Sequence, residues 1–381
     1  MSKLALVLAG GGARAAYQAG VLRTIADHFP ETRFDVITGV SAGAINALYL
    51  ASRDAPLRQT ARELCELWEH LRVEDVFRVD MRSLGRNLFG WSFRLISGGG
   101  AIPHVRGLVD TKPLRNLLAD IFPQNGRGII AGVSENLARC QPEAVGITTL
   151  NYSTGQTVTW AAGCEIHPWD RPLRRSITTE FTIDHIMASA ALPLLFPAVR
   201  LGGAWYGDGG IRLAAPLSPA LLLGADRILA ISTHYAKSLE EAEEPTTAGY
   251  PPPAQILGQL MSAVFLDMLD EDALRLERSN EFLRDLPPEK RHGYRLVDLT
   301  VARPSRDLGK LAAHYEPRLP SAFRFLTRGL GTRETASPDF LSLLMFQPDY
   351  LRELVATGAE DAEHRIDEIA RVVGGGMGSG L

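Results

Sequence analysis

The sequence is poor in cysteine, and the pattern of the few present excludes two kinds of site. Cys65, Cys140 and Cys164 are odd in number and scattered, without a C-x-x-C pair. We therefore expect three core residues, with neither a disulfide framework nor a zinc site. Unpaired cysteines are typical of a reducing compartment.

Long apolar runs are also absent. No stretch approaches the roughly 18 apolar residues of a membrane-spanning helix, and the run at residues 4–9 is too short for the core of a secretory signal. These absences predict a cytoplasmic protein whose contact with a membrane, if it has one, is peripheral.

Basic and acidic residues nearly balance, because 40 Lys and Arg stand against 44 Asp and Glu, for a net charge of −4. Nucleic-acid binding needs a basic surface, so no nucleic-acid partner is expected. The chain has 381 residues, of which 45% are hydrophobic, enough to bury a sizeable core in one or two domains. Composition leaves the oligomeric state open.

Short apolar runs alternate with helical periodicity in the first part of the chain. Residues 4–9 and 34–40 are typical of buried strands, and residues 15–29 and 42–53 of helices. Strand, helix, strand and helix with short joints predict an α/β fold. We expect a mainly parallel central sheet with helices on both faces, in three layers.

The composition changes after residue 234 and predicts the domain organisation. Residues 1–234 are the expected catalytic α/β domain, followed by an acidic, proline-rich linker at 235–254. We expect a mostly helical region at 255–373, able to pack on the catalytic domain and holding one strand within 294–304. The glycine-rich end at 374–381 is expected to be flexible.

A glycine-rich turn follows the first strand. The sequence GGGARA at 10–15 matches the dinucleotide-binding pattern G-x-G-x-x-G/A between a strand and a helix. That pattern also needs an acidic residue at the end of the next strand, whereas Asp35 stands at its start. A nucleotide site and a purely structural turn are therefore the weaker interpretations.

The second strand ends in G-x-S-x-G, the pattern of a nucleophile elbow. Gly39 and Gly43 flank Ser41 and leave room where a strand and a helix meet in a sharp turn. Because loops after adjacent parallel strands share the carboxyl edge of a sheet, we expect Ser41 beside the glycine loop. Backbone N–H groups there can stabilise the oxyanion formed when a serine attacks an ester.

A serine nucleophile needs a proton acceptor, and two candidates are present. His234 follows the last clear strand and would fit a triad with histidine. Asp208 stands between glycines in the sequence GDGG, directly behind Trp205 and Tyr206. Burial among such residues would raise the pKa of Asp208 above its usual value near 4 and make it a better base.

Three motifs together resemble the patatin-like phospholipases, over about residues 4–234. In chain order they are GGGARA at 10–15, GVSAG at 39–43 and DGG at 208–210. The family's first motif usually closes with glycine, where this chain has Ala15. That departure concerns the approach of the helix and leaves the chemistry intact.

The resemblance implies a Ser–Asp dyad without histidine, with Ser41 as nucleophile and Asp208 as base. An acyl-enzyme would form and then be hydrolysed, with neither metal nor cofactor. The oxyanion hole is implied at Gly10, Gly11 and Gly12. Supporting residues are implied at Arg14, Gly39, Gly43, Gly209 and Gly210. Two roles stay open for Arg14, anchoring the loop or favouring anionic head groups.

The implied substrates are phospholipids, lysophospholipids or other fatty-acyl esters, as for a phospholipase A or lysophospholipase. An apolar segment at 88–103 is a candidate for contact with lipid, and the basic segment 286–333 for contact with anionic lipid; core packing and a solvated surface are the ordinary alternatives. Two rival functions remain. One is a catalytically silent lipid-binding or regulatory member of the family, the other a non-lipid esterase with a His234 triad.

Overall fold

The computed structural model describes residues 2–78, 107–244, 249–265, 267–329, 331–332 and 339–374. The predicted lipid-contacting segment 88–103 and the predicted tail beyond residue 374 lie outside the described residues.

Ten strands in the described part of the chain form one mixed sheet. In chain order they are β1 (Leu4–Leu8), β2 (Val36–Val40), β3 (Ala144–Asn151), β4 (Thr157–Gly163), β5 (Asp170–Arg171), β6 (Arg174–Thr178), β7 (Val199–Leu201), β8 (Ala204–Asp208), β9 (Arg227–Ile231) and β10 (Asp298–Ala302). They are arranged as β10-β9-β1-β2-β3-β4-β6-β5, while β8 pairs with β3 and β7.

The sheet is parallel from its β10 edge to β3. Strands β10, β9, β1, β2 and β3 run in one direction, and β4 continues the sheet antiparallel to β3. Every residue of β1 and β2 is buried, as expected for parallel strands covered on both faces. The strand predicted within 294–304 is confirmed as β10.

Helices cover the sheet. Those described are α1 (Ala16–His28), α2 (Ala42–Ser52), α3 (Leu57–His70), α4 (Val73–Val76), α5 (Lys112–Ile121), α6 (Ala131–Ala138), α7 (Ile183–Ser189), α8 (Ser218–Leu222), α9 (Leu239–Glu243), α10 (Pro253–Phe265), α11 (Met268–Arg284), α12 (Leu308–Tyr315), α13 (Ser321–Gly329), α14 (Asp339–Leu344), α15 (Pro348–His364) and α16 (Ile366–Val373). Short 3₁₀ turns at Gly12–Ala15 and Gly209–Arg212 follow β1 and β8.

Each face of the sheet has its own apolar core. Leu4, Leu6 and Leu8 of β1 pack with α1, α3 and α15, whereas Ala5 and Val7 pack with α8 and α11 on the other face. Alternate side chains of a strand point to opposite faces, so a continuously apolar strand fills both cores. The predicted mainly parallel sheet with helices on both faces is confirmed.

The C-terminal residues are part of the same architecture. Strand β10 pairs with β9, and the buried side chains of Leu351, Leu354 and Val355 in α15 belong to the core that holds α1. The Thr24 hydroxyl of α1 donates a hydrogen bond of 3.1 Å to the Ala359 carbonyl of α15. The division of the chain at residues 235–254 stays a prediction.

The expectation for two of the cysteines was wrong. Cys140 and Cys164 form a disulfide and are exposed, while Cys65 is buried as expected. Ala144 of β3 lies opposite Gly163 of β4 in the antiparallel register, so the hairpin brings together the segments just outside its open end. Their separation of 24 residues carries no motif that announces this pairing.

No helix in the described ranges is both long and apolar enough to cross a bilayer.

Candidate active site

Ser41 occupies a strained turn between β2 and α2. Its backbone has φ 57° and ψ −129°, a region that residues other than glycine rarely adopt. Helix α2 begins so close to β1 that a Cβ on Gly43 would lie 2.3 Å from the Leu8 carbonyl oxygen. The predicted elbow therefore holds Ser41 at the carboxyl edge of the parallel strands.

The register of β3 explains why Asp208 lies beside Ser41. Val40, the last residue of β2, pairs with Thr148, and Asp208, the last residue of β8, pairs with Thr149. Because β4 occupies the other edge of β3, β2 and β8 share one edge and meet end to end. Residues far apart in the chain thus meet at one point of the sheet.

The Asp208 carboxyl is buried, with no exposed surface. Its Oδ1 accepts a hydrogen bond of 2.9 Å from the Gly210 N–H, while Oδ2 has no hydrogen-bond partner in the described part of the chain. Burial raises the pKa of Asp208 to about 7, although the neighbouring Ser41 hydroxyl and the Gly210 N–H lower it in part. A base with a pKa near 7 is suited to proton transfer at neutral pH.

A residue that the sequence reasoning missed connects the elbow to β3. The Ser41 N–H donates to the Ser189 hydroxyl at 3.0 Å, and that hydroxyl donates to the Thr148 carbonyl at 2.7 Å. Ser189 is completely buried at the end of α7. Nothing in the spacing of the motifs marks it, because its role depends on α7 lying against β3.

The glycine loop lies against the same elbow. A Cβ on Gly10 would lie 3.2 Å from the Ser41 Cβ, and Gly11 and Gly12 have φ values of +149° and +55°, which favour glycine. The Thr233 hydroxyl fixes the loop from β9 by donating to the Gly10 carbonyl at 2.5 Å. The N–H groups of these three glycines have no protein acceptor in the described ranges, which leaves them able to bind an anionic oxygen.

Buried polar side chains hold the start of the glycine loop in place. Gln18 donates a hydrogen bond of 2.8 Å to the Ala9 carbonyl and accepts one of 2.9 Å from Asn46. Asn46 in turn accepts a hydrogen bond of 2.8 Å from the Trp68 indole. A satisfied buried network of this kind restricts a loop to one conformation.

Arg14 is buried and paired within the protein. Its Nε donates to the Ser342 hydroxyl at 2.6 Å, and its guanidinium pairs with Asp339 at 2.5 Å, both in α14. The side chain is only 2% exposed. Of the two roles left open by the sequence, this geometry favours anchoring the loop over contact with a head group.

The remaining predicted glycines allow close backbone contacts around Ser41 and Asp208. A Cβ on Gly39 would lie 2.4 Å from the Gly43 carbonyl oxygen, and one on Gly209 would lie 2.4 Å from the Thr148 carbonyl oxygen. A Cβ on Gly210 would lie 2.3 Å from the ring of Phe265. Larger residues at these positions would push the strands and α10 apart.

A pocket opens over Ser41 and the glycine loop. It contains about 810 Å³ of space between atoms, including the part open to solvent. Apart from Ser41 and the backbone of Gly11 and Gly12, its walls are almost entirely apolar. Those walls include Ile45, Leu67, Trp68, Leu71, Leu114, Leu118, Phe196, Phe265, Leu344 and Phe346. Such a pocket fits a hydrocarbon chain.

His234 is turned towards a different set of residues. Its Nδ1 lies 3.0 Å from Asp270 and its Nε2 lies 3.4 Å from Asp267, both on or next to α11. With both ring nitrogens engaged there, His234 is poorly placed to accept a proton from Ser41. Asp35, the acidic residue needed for a nucleotide site, accepts from the Leu4 N–H at 2.7 Å, at the opposite edge of the sheet.

Among the residues that the structure describes, no three His, Cys, Asp or Glu side chains are arranged to hold a metal ion.

The structure thus brings together a strained serine, a buried carboxyl group and glycine N–H groups at one edge of the α/β sheet. The patatin-like phospholipase family model matches residues 6–221, more than half of the chain. The chain belongs to the patatin-like phospholipase family, whose members are lipid acyl hydrolases.

The chain is also similar to solved structures of low sequence identity. VipD from Legionella pneumophila is 13% identical, with a TM-score of 0.39, over 96% of this chain and 67% of its own. Human GIVD cytosolic phospholipase A2 in complex with methyl gamma-linolenyl fluorophosphonate is 12% identical, with a TM-score of 0.41, over 98% of this chain and 59% of its own. This chain therefore spans less than two thirds of the human enzyme. No curated protein matches the chain.

Proposed function

We propose that this protein cleaves carboxylic ester bonds of phospholipids or lysophospholipids, with Ser41 as nucleophile and Asp208 as base. The observation that carries the proposal is the buried Asp208 carboxyl, with a pKa of about 7, at the strained turn that presents Ser41 to an apolar pocket. A Ser–Asp pair needs such a raised pKa, because an ordinary aspartate is too weak a base for a serine hydroxyl.

In the first half of the reaction, the Ser41 Oγ attacks the ester carbonyl carbon while its proton passes to Asp208 Oδ2. The carbonyl oxygen becomes an oxyanion and accepts hydrogen bonds from the N–H groups of Gly11 and Gly12, with Gly10 shaping the loop. One such donor is worth about 3 kcal/mol of transition-state stabilisation in other enzymes. Collapse of the intermediate expels the alcohol or lysolipid, which takes the proton from Asp208, and leaves an acyl-Ser41.

In the second half, Asp208 removes a proton from a water molecule as the water oxygen attacks the acyl carbonyl. The same glycine N–H groups hold the second oxyanion. Its collapse releases the fatty acid and returns the proton to Ser41. Each step uses only groups of this chain, the substrate and water.

The apolar pocket supports a fatty-acyl substrate, whose chain would lie between α2, α3 and α5. Because long-chain lipid esters reside in membranes or micelles, the enzyme would bind peripherally to such a surface. The reducing compartment expected from the cysteines loses its basis, since Cys140 and Cys164 are paired and disulfides persist in oxidising compartments.

The direct test is labelling of Ser41 by a fluorophosphonate, together with release of fatty acid from a panel of lipids measured by mass spectrometry. We expect labelling of the wild type, none of Ser41→Ala, and loss of hydrolysis in both Ser41→Ala and Asp208→Asn. His234→Ala is the matched control and is expected to retain hydrolysis. Full hydrolysis by a folded Ser41→Ala protein would refute the proposal.

The same panel tests the rival functions. Binding of lipid by the wild type without release of fatty acid would identify a catalytically silent member of the family. Activity towards short esters that is lost by orders of magnitude in His234→Ala would instead indicate a triad with histidine.

A further inference from the structure

Helix α10 lies beside the pocket and carries no charge. Between Glu244 and Asp267 the sequence has no Asp, Glu, Lys, Arg or His, and α10 lies within this stretch. A helix on the surface of a protein ordinarily has an apolar stripe facing the core and charged residues facing water. The outer side of α10 therefore needs an explanation other than solvation.

The inner side of α10 packs on the active site. Phe265 lines the pocket and contacts Gly210, two residues after Asp208. Met261 and Leu257, one and two turns before Phe265, pack against the larger core. Helix α10 thus forms part of the wall around the catalytic residues.

The outer side of α10 carries exposed apolar side chains next to the polar, exposed Gln259. Ile256 and Leu260, one turn apart, are 45% and 54% exposed, and Tyr250 just before the helix is 91% exposed. We call the surface formed by Ile256 and Leu260 the α10 face. Exposed apolar surface next to a ligand pocket is typical of an interaction site.

We propose that the α10 face inserts into the surface of a zwitterionic phospholipid layer and so places the pocket at the layer. This inference rests on the proposed function for its choice of partner. The α10 face is continuous with the pocket, because the helix that exposes Ile256 and Leu260 also contributes Phe265 to the pocket wall. This continuity supports the proposal.

The charges on either side of α10 select the kind of layer. Acidic residues precede the helix at Glu240, Glu241, Glu243 and Glu244 and follow it at Asp267, Asp270, Glu271 and Asp272. Asp270 pairs with Arg303, and Asp267 lies 3.4 Å from His234, so the remaining carboxyl groups carry the negative charge. An anionic layer would repel these groups, whereas a layer without net charge would not. The α10 face therefore fits phosphatidylcholine better than an anionic lipid, in contrast to the basic segment 286–333.

The test measures binding without turnover. In a Ser41→Ala background, partition onto phosphatidylcholine vesicles is measured by sedimentation for the parent protein and for Ile256→Glu/Leu260→Glu. We expect partition at least about tenfold weaker in the double variant, equivalent to about 1.4 kcal/mol, because two apolar side chains no longer enter the layer. Thermal melting checks that each variant is folded.

Leu274→Glu/Phe282→Glu on α11 is the matched control, since both residues are exposed and the change in net charge is the same. It is expected to bind vesicles like the parent. The inference is overturned if the parent does not bind, if the α10 variant binds equally well, or if phosphatidylglycerol in the vesicles strengthens binding.

Light scattering separates lipid binding from self-association. Self-association that is lost only in the α10 variant would assign the α10 face to a second copy of the chain and overturn the proposal. Because Ser41→Ala cannot turn over, these outcomes are independent of whether the wild type hydrolyses lipid.

Discussion

At the scale of single residues, the Asp208 carboxyl combines a functional gain with a cost in stability. Its burial raises the pKa to about 7, which makes it a usable base. The charged form lacks a partner for Oδ2, and an under-solvated carboxylate disfavours the folded state. The basicity of Asp208 and its cost to folding stability both depend on the protonation of this one carboxyl group. The pH dependence of activity tests the first, and the free energy of unfolding tests the second.

The first prediction concerns the pH dependence of activity. Asp208 must be deprotonated to accept the Ser41 proton, so kcat/KM for a soluble ester should rise with pH and level off above about 7. His185, which packs against Trp160 of β4, does not explain such a rise, because burial lowers its pKa to about 4. A rate that is constant between pH 5 and 8 would contradict the assignment of Asp208 as base.

The second prediction concerns stability. The pKa of Asp208 is higher in the folded state than the usual 3.8, so the folded protein binds more protons than the unfolded chain between about pH 4 and 7. Its contribution to stability is therefore greatest below pH 4 and is lost as pH rises towards 7. We expect Asp208→Asn to abolish hydrolysis while raising the free energy of unfolding at pH 8 by about 1–3 kcal/mol, measured in urea. A lower free energy of unfolding for Asp208→Asn at pH 8 would contradict the idea that the charged Asp208 carboxylate destabilises the fold.

The third prediction concerns the anchor of the glycine loop. Arg14→Gln and Asp339→Asn should lower kcat and the rate of fluorophosphonate labelling with little change in KM, equally for zwitterionic and anionic substrates. Asp339→Asn should be the more destabilising, by about 3 kcal/mol, because it leaves the buried Arg14 charge unpaired.

Arg115→Gln serves as the control for these two variants. Arg115 and Asp184 form an exposed ion pair, which is expected to contribute little to the free energy of unfolding. An effect of Arg14→Gln confined to the KM of anionic lipids would instead assign Arg14 to the head group.

At the scale of elements, the β3–β4 hairpin carries the register that positions Asp208. Thr148 and Thr149 of β3 align the ends of β2 and β8, and the Cys140–Cys164 disulfide closes the far end of this hairpin. The disulfide lies outside the active site, so its removal should alter stability more than chemistry.

The fourth prediction follows from this placement. Cys140→Ser/Cys164→Ser should lower the free energy of unfolding by up to about 3 kcal/mol, because an open loop gives the unfolded chain more entropy. Labelling of Ser41 at low temperature should be unaffected. Calorimetry of the wild type with and without a reductant should show the same difference; the Cys65→Ser variant, which keeps the disulfide, is the control.

At the scale of the whole molecule, the residues after 234 complete the site. Leu343, Leu344 and Phe346 line the pocket, Asp339 pairs with Arg14, and β10 extends the sheet. A catalytic unit ending at residue 234 would expose the surface of α1 that α15 covers.

The fifth prediction is therefore that a chain truncated after residue 234 will not fold to an active protein. It would lose Asp339, which pairs with Arg14 of the glycine loop, and β10, which forms one edge of the sheet. Expression of residues 1–234 and of the full chain, compared by circular dichroism, melting and labelling of Ser41, tests this. A soluble, cooperatively folding and labelled 1–234 fragment would show that the two parts are independent.

Local patterns predicted the parts of this protein whose structure depends on neighbouring residues in the chain. Continuous apolar runs bounded by glycine identified β1 and β2, and glycines around Ser41 identified the elbow, because a tight turn needs small residues at fixed spacing. Ser189, Asp339 and Ser342 were not predicted, since each acts through contacts over 148 to 328 residues of chain without any fixed spacing.

The sequence by itself determined the alternation of strands and helices, the strained serine turn and the supply of small residues that permits it. Only the tertiary structure decided that Asp208 rather than His234 lies at Ser41, that Arg14 faces inward, and that Cys140 meets Cys164. The physical reason is that backbone preferences and hydrophobic periodicity act over a few residues, whereas burial, charge pairing and strand register depend on which segments pack together.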